Sequence, residues 1–141
     1  MKRSASAVWT GDLRSGKGTI STESGVLSDT QYSFKTRFEH GTGTNPEELI
    51  GAAHAGCFSM ALSVELQKAG LIAERIATKA DVTLEQKVGG FSITAVHLTL
   101  HAKVPGASQA DFDEATKAAK EGCPVSKLLR AEITLDATLE S

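Results

Sequence analysis

NPEELIGAAHAGCFSMALSVELQKAG, residues 45–70, is the stretch of the chain that decides the fold. Asn45 is a favourable N-cap, Pro46 suits the first helical position, and Glu48 stands at the capping-box position. Gly70 is suited to end the helix, because glycine adopts the left-handed conformation found after the last turn. Together these signals predict a single helix over residues 45–69.

The middle of this helix is apolar on nearly every side. Between residues 49 and 64 the only polar side chains are those of His54, Ser59 and Ser63. A helix without a polar face is normally buried, and the glycines and alanines of residues 51–56 allow neighbours to approach closely. The pattern therefore predicts a long buried central helix.

The segment before the helix, residues 1–44, is rich in glycine, serine and threonine and predicts short strands. These strands are expected near residues 5–10, 18–22 and 32–38. In the last of them, alternate side chains share one face, starting with Tyr32 and Phe34. The segment has few large apolar residues to offset its ordering entropy. We therefore expect it to pack on the rest of the chain or on a second subunit.

The segment after the helix, residues 75–141, mixes strands with shorter helices. Alternating apolar residues predict strands at 75–85, 91–104 and 132–140. The middle strand changes phase at Ala95-Val96, which favours a bulge, and Gly89-Gly90 favours a hairpin turn before it. Helices are expected at 108–122 and 124–130. This order predicts one α+β domain over residues 1–141, with antiparallel sheets around the central helix.

Composition excludes several classes of function. The formal net charge of the 141-residue chain is -2, so we expect neither nucleic acid nor an acidic membrane surface as a partner. We expect no stretch long enough to cross a membrane and no apolar signal segment behind the basic start, and hence a cytoplasmic protein. In that reducing compartment the two cysteines should pair only transiently, if at all.

The two cysteines occupy different helical positions. Cys57 lies in mid-helix, 12 residues beyond Asn45, roughly 18 Å along the axis at ~1.5 Å per residue, where the helix dipole no longer acts on it. Cys123 precedes Pro124 at the start of a predicted helix, so it is expected to be the more acidic thiol. If Cys57 is a nucleophile, a nearby cation must stabilise its thiolate, and spacing alone does not identify that cation.

Two other interpretations stay open at this point. A non-enzymatic stress or ligand-binding protein would carry both cysteines as inert core residues. A metal site is disfavoured because no Cys-x-x-Cys pattern occurs, and His97 and His101 are four apart on a predicted strand. The absence of Cys-x-x-Cys also disfavours a thioredoxin-like oxidoreductase. We expect His54 to be a core histidine hydrogen-bonded to the backbone.

Five separated segments carry a resemblance to known proteins: Gly18–Val26, Thr36–Glu39, Thr44–Leu62, Gly122–Ser126 and Ala131–Asp136. They resemble the osmotically inducible protein C (OsmC) family of hydroperoxide reductases. The resemblance is in register over nearly the whole chain and is closer to the OsmC branch than to the organic-hydroperoxide-resistance branch. It is weakest at residues 66–79 and 103–113.

The resemblance implies a thiol-dependent reduction of organic hydroperoxides without a cofactor or metal. It implies Cys57 as the thiol that attacks the peroxide and Cys123 as the resolving thiol. It further implies Arg37 as the cation beside the thiolate, held in place by Glu47. On sequence alone, Arg37 is better explained as a solvated charge on a strand face, and Glu47 as a carboxylate favoured by the helix N-terminus. The resemblance also implies an intertwined homodimer and a dithiol reductant, of the lipoyl type in some members.

Overall fold

The computed structural model describes residues 1–140 and has an α+β architecture, as the sequence predicts. The described chain contains two three-stranded sheets and a long helix. It forms two compact units, residues 1–49 and a second unit that begins at Ile50. The prediction of a single domain stays a prediction.

The first unit contains an antiparallel sheet of three strands in the order β1-β2-β3. Strand β1 (Ala5–Thr10) pairs along its whole length with β2 (Lys17–Thr22), and β2 pairs with the short β3 (Thr30–Tyr32). The first two strands confirm the sequence prediction to within one residue. Turn-forming residues supply the connections, as at Gly11, whose φ of +95° favours glycine.

The prediction of a strand over residues 32–38 is wrong. The chain leaves β3 and enters a short helix, α1 (Phe34–Phe38). A capping box starts this helix: the Thr36 N–H donates to Ser33 Oγ over 3.3 Å, and the Ser33 N–H donates to Thr36 Oγ1 over 2.8 Å. The rings of Phe34 and Phe38 then meet with centroids 5.0 Å apart. Residues four apart share a helix face, so the same aromatic spacing fits either structure.

The long helix α2 (Pro46–Lys68) begins and ends as the sequence predicts. The Asn45 side chain caps it by accepting the Glu48 N–H over 2.8 Å. At its other end Gly70 has a φ of +76°, and the Leu71 N–H reaches back to the Leu66 carbonyl over 2.9 Å.

Burial of α2 is confined to one stripe, so the prediction of a helix buried on nearly every side is wrong for the single chain. Met60 is 74% exposed and Val64 is 50% exposed. The three large apolar side chains of the buried stripe pack in one core cluster with Val96, Leu98 and Leu100 of the adjacent sheet. Each large apolar side chain buried in this way contributes roughly 1.5–3 kcal/mol. The stripe consists of Gly51, His54, Phe58, Leu62 and Leu66.

By length and composition alone, α2 is apolar enough to cross a membrane. The expectation that no stretch reaches that length is therefore wrong. Core helices of globular proteins pass the same test, and the buried stripe of α2 packs on a sheet. A hydrogen bond of 2.8 Å between Ser59 and Thr78 ties the helix to that sheet. We interpret α2 as a core helix.

The second unit contains a mixed sheet in the order β4-β5-β6, formed by β4 (Arg75–Lys87), β5 (Gly90–Lys103) and β6 (Glu132–Glu140). Strands β4 and β5 form the predicted hairpin, in which Gly89 has a φ of +98°. The predicted bulge lies at Thr94: Thr83 pairs with Ala95 and Leu84 with Ile93.

Strand β6 pairs with β5 in parallel, which corrects the prediction of purely antiparallel sheets. The connection contains α3 (Gln109–Gly122) and α4 (Pro124–Leu128). A crossover with helices is what a parallel neighbour requires. Cys123 is the single residue between these two helices.

Candidate functional site

The sulfur atoms of Cys57 and Cys123 lie 2.7 Å apart, although 66 positions separate the residues in sequence. Cys57 is half-buried in the middle of α2, and Cys123 is fully buried; both are free thiols. Cys123 lies between α3 and α4, and its side chain contacts α2. The Cys123 N–H donates to the Ala119 carbonyl over 3.0 Å. The fold thus brings together the two thiols that the sequence analysis singled out.

The surroundings of the thiol pair (Cys57 and Cys123) make its two members electrostatically unequal. Burial raises the pKa of Cys123, but hydrogen bonds from Cys57, from the N–H and hydroxyl of Ser126 and from the Val125 N–H outweigh it, so this pKa is lowered overall. The pKa of Cys57 is raised, first by burial and then by its hydrogen bond to Cys123. The ranking agrees with the expectation from helix position.

His54 lies on the buried stripe of α2, one turn before Cys57. Its Nε2 lies 2.7 Å from Oγ of Ser126 in α4. The expected core position is confirmed, but the expected backbone partner is wrong, because Ser126 uses its side chain. Burial lowers the pKa of His54, so the imidazole is neutral near pH 7.

Arg37 and Glu47 form an ion pair within the first unit. Both Nε and Nη2 of Arg37 donate to Oε1 of Glu47, over 3.2 and 2.8 Å. The Arg37 side chain is 38% exposed and that of Glu47 is 12% exposed. Arg37 lies in the last turn of α1 and Glu47 in the first turn of α2, so two helix ends fix the pair. A guanidinium held in this way has a fixed orientation.

An aromatic pocket of about 300 Å³ lies beside Arg37 in the first unit. The sequence analysis missed it, although the only tryptophan and the only tyrosine of the chain are both in its lining. The Arg37 guanidinium also lies 5.4 Å from the centroid of the Phe38 ring. The lining consists of Trp9, Leu13, Tyr32, Ser33, Phe34, Arg37 and Phe38.

A metal centre finds no support in the geometry. Among residues 1–140, no group of three or more His, Cys, Asp or Glu side chains is placed to hold a metal ion. His97 is instead engaged on the sheet surface, with its Nε2 2.9 Å from an Asp136 oxygen.

Comparisons with known proteins establish that the chain belongs to the OsmC family. The family model described as "OsmC-like protein" matches residues 39–138. That range contains Glu47, Cys57 and Cys123, and it begins two residues after Arg37.

Individual relatives carry names that refer to peroxide chemistry. The chain is 56% identical to "Peroxiredoxin OsmC" of Escherichia coli strain K12 over 135 residues, 96% of this chain and 94% of that protein. It is 33% identical to an "Organic hydroperoxide resistance protein" of Xanthomonas axonopodis pv. citri over 100 residues, 70% of this chain and 68% of that protein.

Solved structures of related proteins have the same fold. The crystal structure of the organic hydroperoxide resistance protein OhrB of Bacillus subtilis matches with a TM-score of 0.68 and 26% identity, covering 97% of this chain and 98% of that one. The resemblance inferred from the sequence is therefore confirmed at the level of family and fold.

Proposed function

We propose that this protein is a thiol peroxidase that reduces organic hydroperoxides to alcohols. The observation that carries the proposal is the 2.7 Å approach of the Cys57 and Cys123 sulfurs. A disulfide needs its two residues to be this close in the fold, and two core cysteines have no general reason to meet. The names of the relatives, a peroxiredoxin and hydroperoxide resistance proteins, support the same chemistry.

The cycle begins at the more accessible thiol. The Cys57 thiolate attacks one peroxide oxygen, the O–O bond breaks, and the departing alkoxide takes a proton to become the alcohol. The Cys57 sulfenic acid then condenses with Cys123, which forms the disulfide and releases water. A dithiol reductant resets the pair and leaves as its own disulfide. The cycle needs no cofactor.

Arg37 supplies the cation that Cys57 lacks within its own helix. Because burial raises the pKa of Cys57, a guanidinium must stabilise its thiolate and the developing alkoxide. Glu47 Oε1 accepts hydrogen bonds from both Nε and Nη2 of this guanidinium, so its fork is oriented before substrate arrives. The aromatic pocket beside Arg37 favours an alkyl or aryl tail, because burying apolar surface stabilises the bound peroxide.

The same proposal includes a homodimer of intertwined subunits in a reducing cytoplasm. The exposed apolar side chains of α2, among them Met60 and Val64, support a second copy as the cover of this face. Arg37 then acts on Cys57 of its own chain or of the partner. The reductant is a dithiol, and the lipoyl class is the one to try first.

The test is turnover of cumene hydroperoxide and of hydrogen peroxide with dihydrolipoamide as reductant. We expect multiple turnovers, at least tenfold faster with the organic peroxide, and none for Cys57→Ser. Turnover that survives in Cys57→Ser would overturn the assignment of the attacking thiol. Peroxide-inert thiols in the native protein would instead favour a non-enzymatic ligand-binding protein with core cysteines.

A further inference from the structure

Two polar side chains near the thiol pair, those of His54 and Ser126, have no role in the proposed cycle. His54 projects from α2, and its Nε2 lies 2.7 Å from Oγ of Ser126 in α4. Ser126 lies three residues after Cys123, in the first turn of α4 that Cys123 precedes, and its N–H and hydroxyl are among the groups that lower the pKa of the Cys123 thiol. Imidazole and hydroxyl are therefore joined by a hydrogen bond one helical turn from the Cys123 position, within the second unit.

The surroundings of the His54 imidazole show which atom donates in its hydrogen bond to Ser126. His54 is fully buried, and within residues 1–140 its Nδ1 has no hydrogen-bond partner. A buried N–H without an acceptor is the rarer and costlier arrangement, so we assign the ring proton of the neutral imidazole to Nε2. His54 then donates to Ser126 Oγ, which leaves the Ser126 hydroxyl proton free to donate to Cys123.

We propose that the His54–Ser126 pair stabilises Cys123 as a thiolate and so accelerates the disulfide half of the cycle. In this proposal Ser126 acts on the Cys123 sulfur, and His54 is a positioning residue that acts through Ser126. This inference rests on the proposed peroxidase function and assigns a specific task within it.

Two steps place negative charge on the Cys123 sulfur. In the first, the Cys123 thiolate attacks the Cys57 sulfenic acid: the S–S bond forms, the S–O bond breaks, and hydroxide leaves and takes a proton to become water. In the second, one thiolate of the dithiol attacks the Cys57 sulfur, and the electron pair of the broken S–S bond passes to Cys123. The second reductant thiol then frees Cys57 and closes the reductant disulfide.

Attack at the Cys57 sulfur is favoured for two reasons. Cys57 is half-buried, whereas Cys123 is fully buried. A thiol with a lower pKa is also the better leaving group, and Cys123 has the hydrogen bonds that lower it. The titratable groups that face the Cys123 sulfur from α2 are the Cys57 thiol and, through Ser126, the His54 imidazole. Because that imidazole is neutral, it contributes a hydrogen bond rather than a full charge.

The first experiment measures the two halves of the cycle separately by rapid mixing. The rate of peroxide attack is followed with excess cumene hydroperoxide, and the rate of disulfide reduction with dithiothreitol. We expect Ser126→Ala to slow disulfide reduction about three- to tenfold, from the loss of one hydrogen bond to a thiolate. Ser126→Thr should restore the rate. Peroxide attack should slow less than disulfide reduction in Ser126→Ala.

A matched control and a spectroscopic readout separate this role from a structural one. Ser59→Ala removes a hydroxyl from the same helix as His54, where it bonds Thr78 and the Ala55 carbonyl, and should leave both rates unchanged. In a Cys57→Ser background, ultraviolet thiolate absorbance reports the pKa of Cys123. Ser126→Ala should raise that pKa, and His54→Leu should raise it less.

Unchanged disulfide reduction and an unchanged Cys123 titration in Ser126→Ala would overturn the inference, even if the native protein turns over peroxide normally. Equal slowing of both halves in Ser126→Ala would also overturn it, since the defect would then be general. A native protein that neither consumes peroxide nor forms the disulfide would refute the proposed function instead. If His54→Leu fails to fold, the Ser126→Ala and Ser126→Thr pair still decides.

Discussion

Replacement of Arg37 by lysine tests whether the oriented guanidinium, rather than positive charge alone, stabilises the attacking thiolate. Arg37 donates to Glu47 Oε1 through both Nε and Nη2, at 3.2 and 2.8 Å. A lysine ammonium keeps the charge but reaches Glu47 as a single point on a flexible stem. The variant therefore loses one charge-assisted hydrogen bond and the fixed fork.

The expected magnitude follows from that single bond. A hydrogen bond to a charged group contributes about 1.5–3 kcal/mol, and the 38% exposure of the Arg37 side chain places this one at the low end. In the proposed cycle the oriented fork donates an equivalent bond to the developing alkoxide, and the loss of about 1.5 kcal/mol there, only in the transition state, lowers the second-order rate of peroxide attack roughly tenfold.

The assay is rapid-mixing loss of the Cys57 thiol at several peroxide concentrations. Arg14→Lys is the matched control, because Arg14 is a second guanidinium of the first unit, 5.0 Å from the centroid of the Phe34 ring. Its variant should retain the native rate within twofold. A native rate in Arg37→Lys, or an equal loss in Arg14→Lys, would refute the reasoning.

Three further predictions concern the core, the resolving thiol and pH. Phe58→Ala should lower the free energy of unfolding by about 3–5 kcal/mol, because Phe58 is fully buried, whereas Val88→Ala at an exposed hairpin should change it by less than about 0.5 kcal/mol; equal urea midpoints would contradict this. Cys123→Ser should permit one peroxide attack but prevent disulfide recycling, so mass spectrometry should find over-oxidised Cys57 at excess peroxide; sustained turnover with a dithiol would show that Cys123 is dispensable. Burial lowers the folded-state pKa of His54 below its ordinary 6.5, so the unfolded chain binds the extra proton and stability should fall as pH drops below about 6.5. Urea unfolding at pH 7 and pH 5 should show a smaller fall in His54→Gln than in the native protein; parallel falls would argue against a neutral buried imidazole.

The structure confirms the predicted ends of α2, and both predictions rest on signals with a direct stereochemical cause. Asn45 and Pro46 predicted the start of α2, and Gly70 predicted its end, because a cap and a positive φ each demand particular residue types. The strand prediction at residues 32–38 failed because Phe34 and Phe38 are aligned in a strand and in a helix alike. The capping box of Ser33 and Thr36 was the signal that decided between them.

Features that depend on distant parts of the chain were harder to predict. The parallel pairing of β6 has a sequence signal, the two helices between β5 and β6, since a crossover of that kind favours a parallel neighbour. The exposed face of α2 has no sequence signal, because hydrophobic periodicity does not distinguish burial within one chain from burial against a second chain. The proximity of Cys57 and Cys123 came from the family resemblance and could not be obtained from spacing.

The most direct test of the account is a titration of the fully reduced native protein with cumene hydroperoxide, followed by thiol counting and peptide mass mapping. One equivalent per chain should remove two thiols per chain and join the peptides that contain Cys57 and Cys123. Two thiols remaining after that equivalent, or cross-links that exclude either cysteine, would contradict the proposed redox cycle.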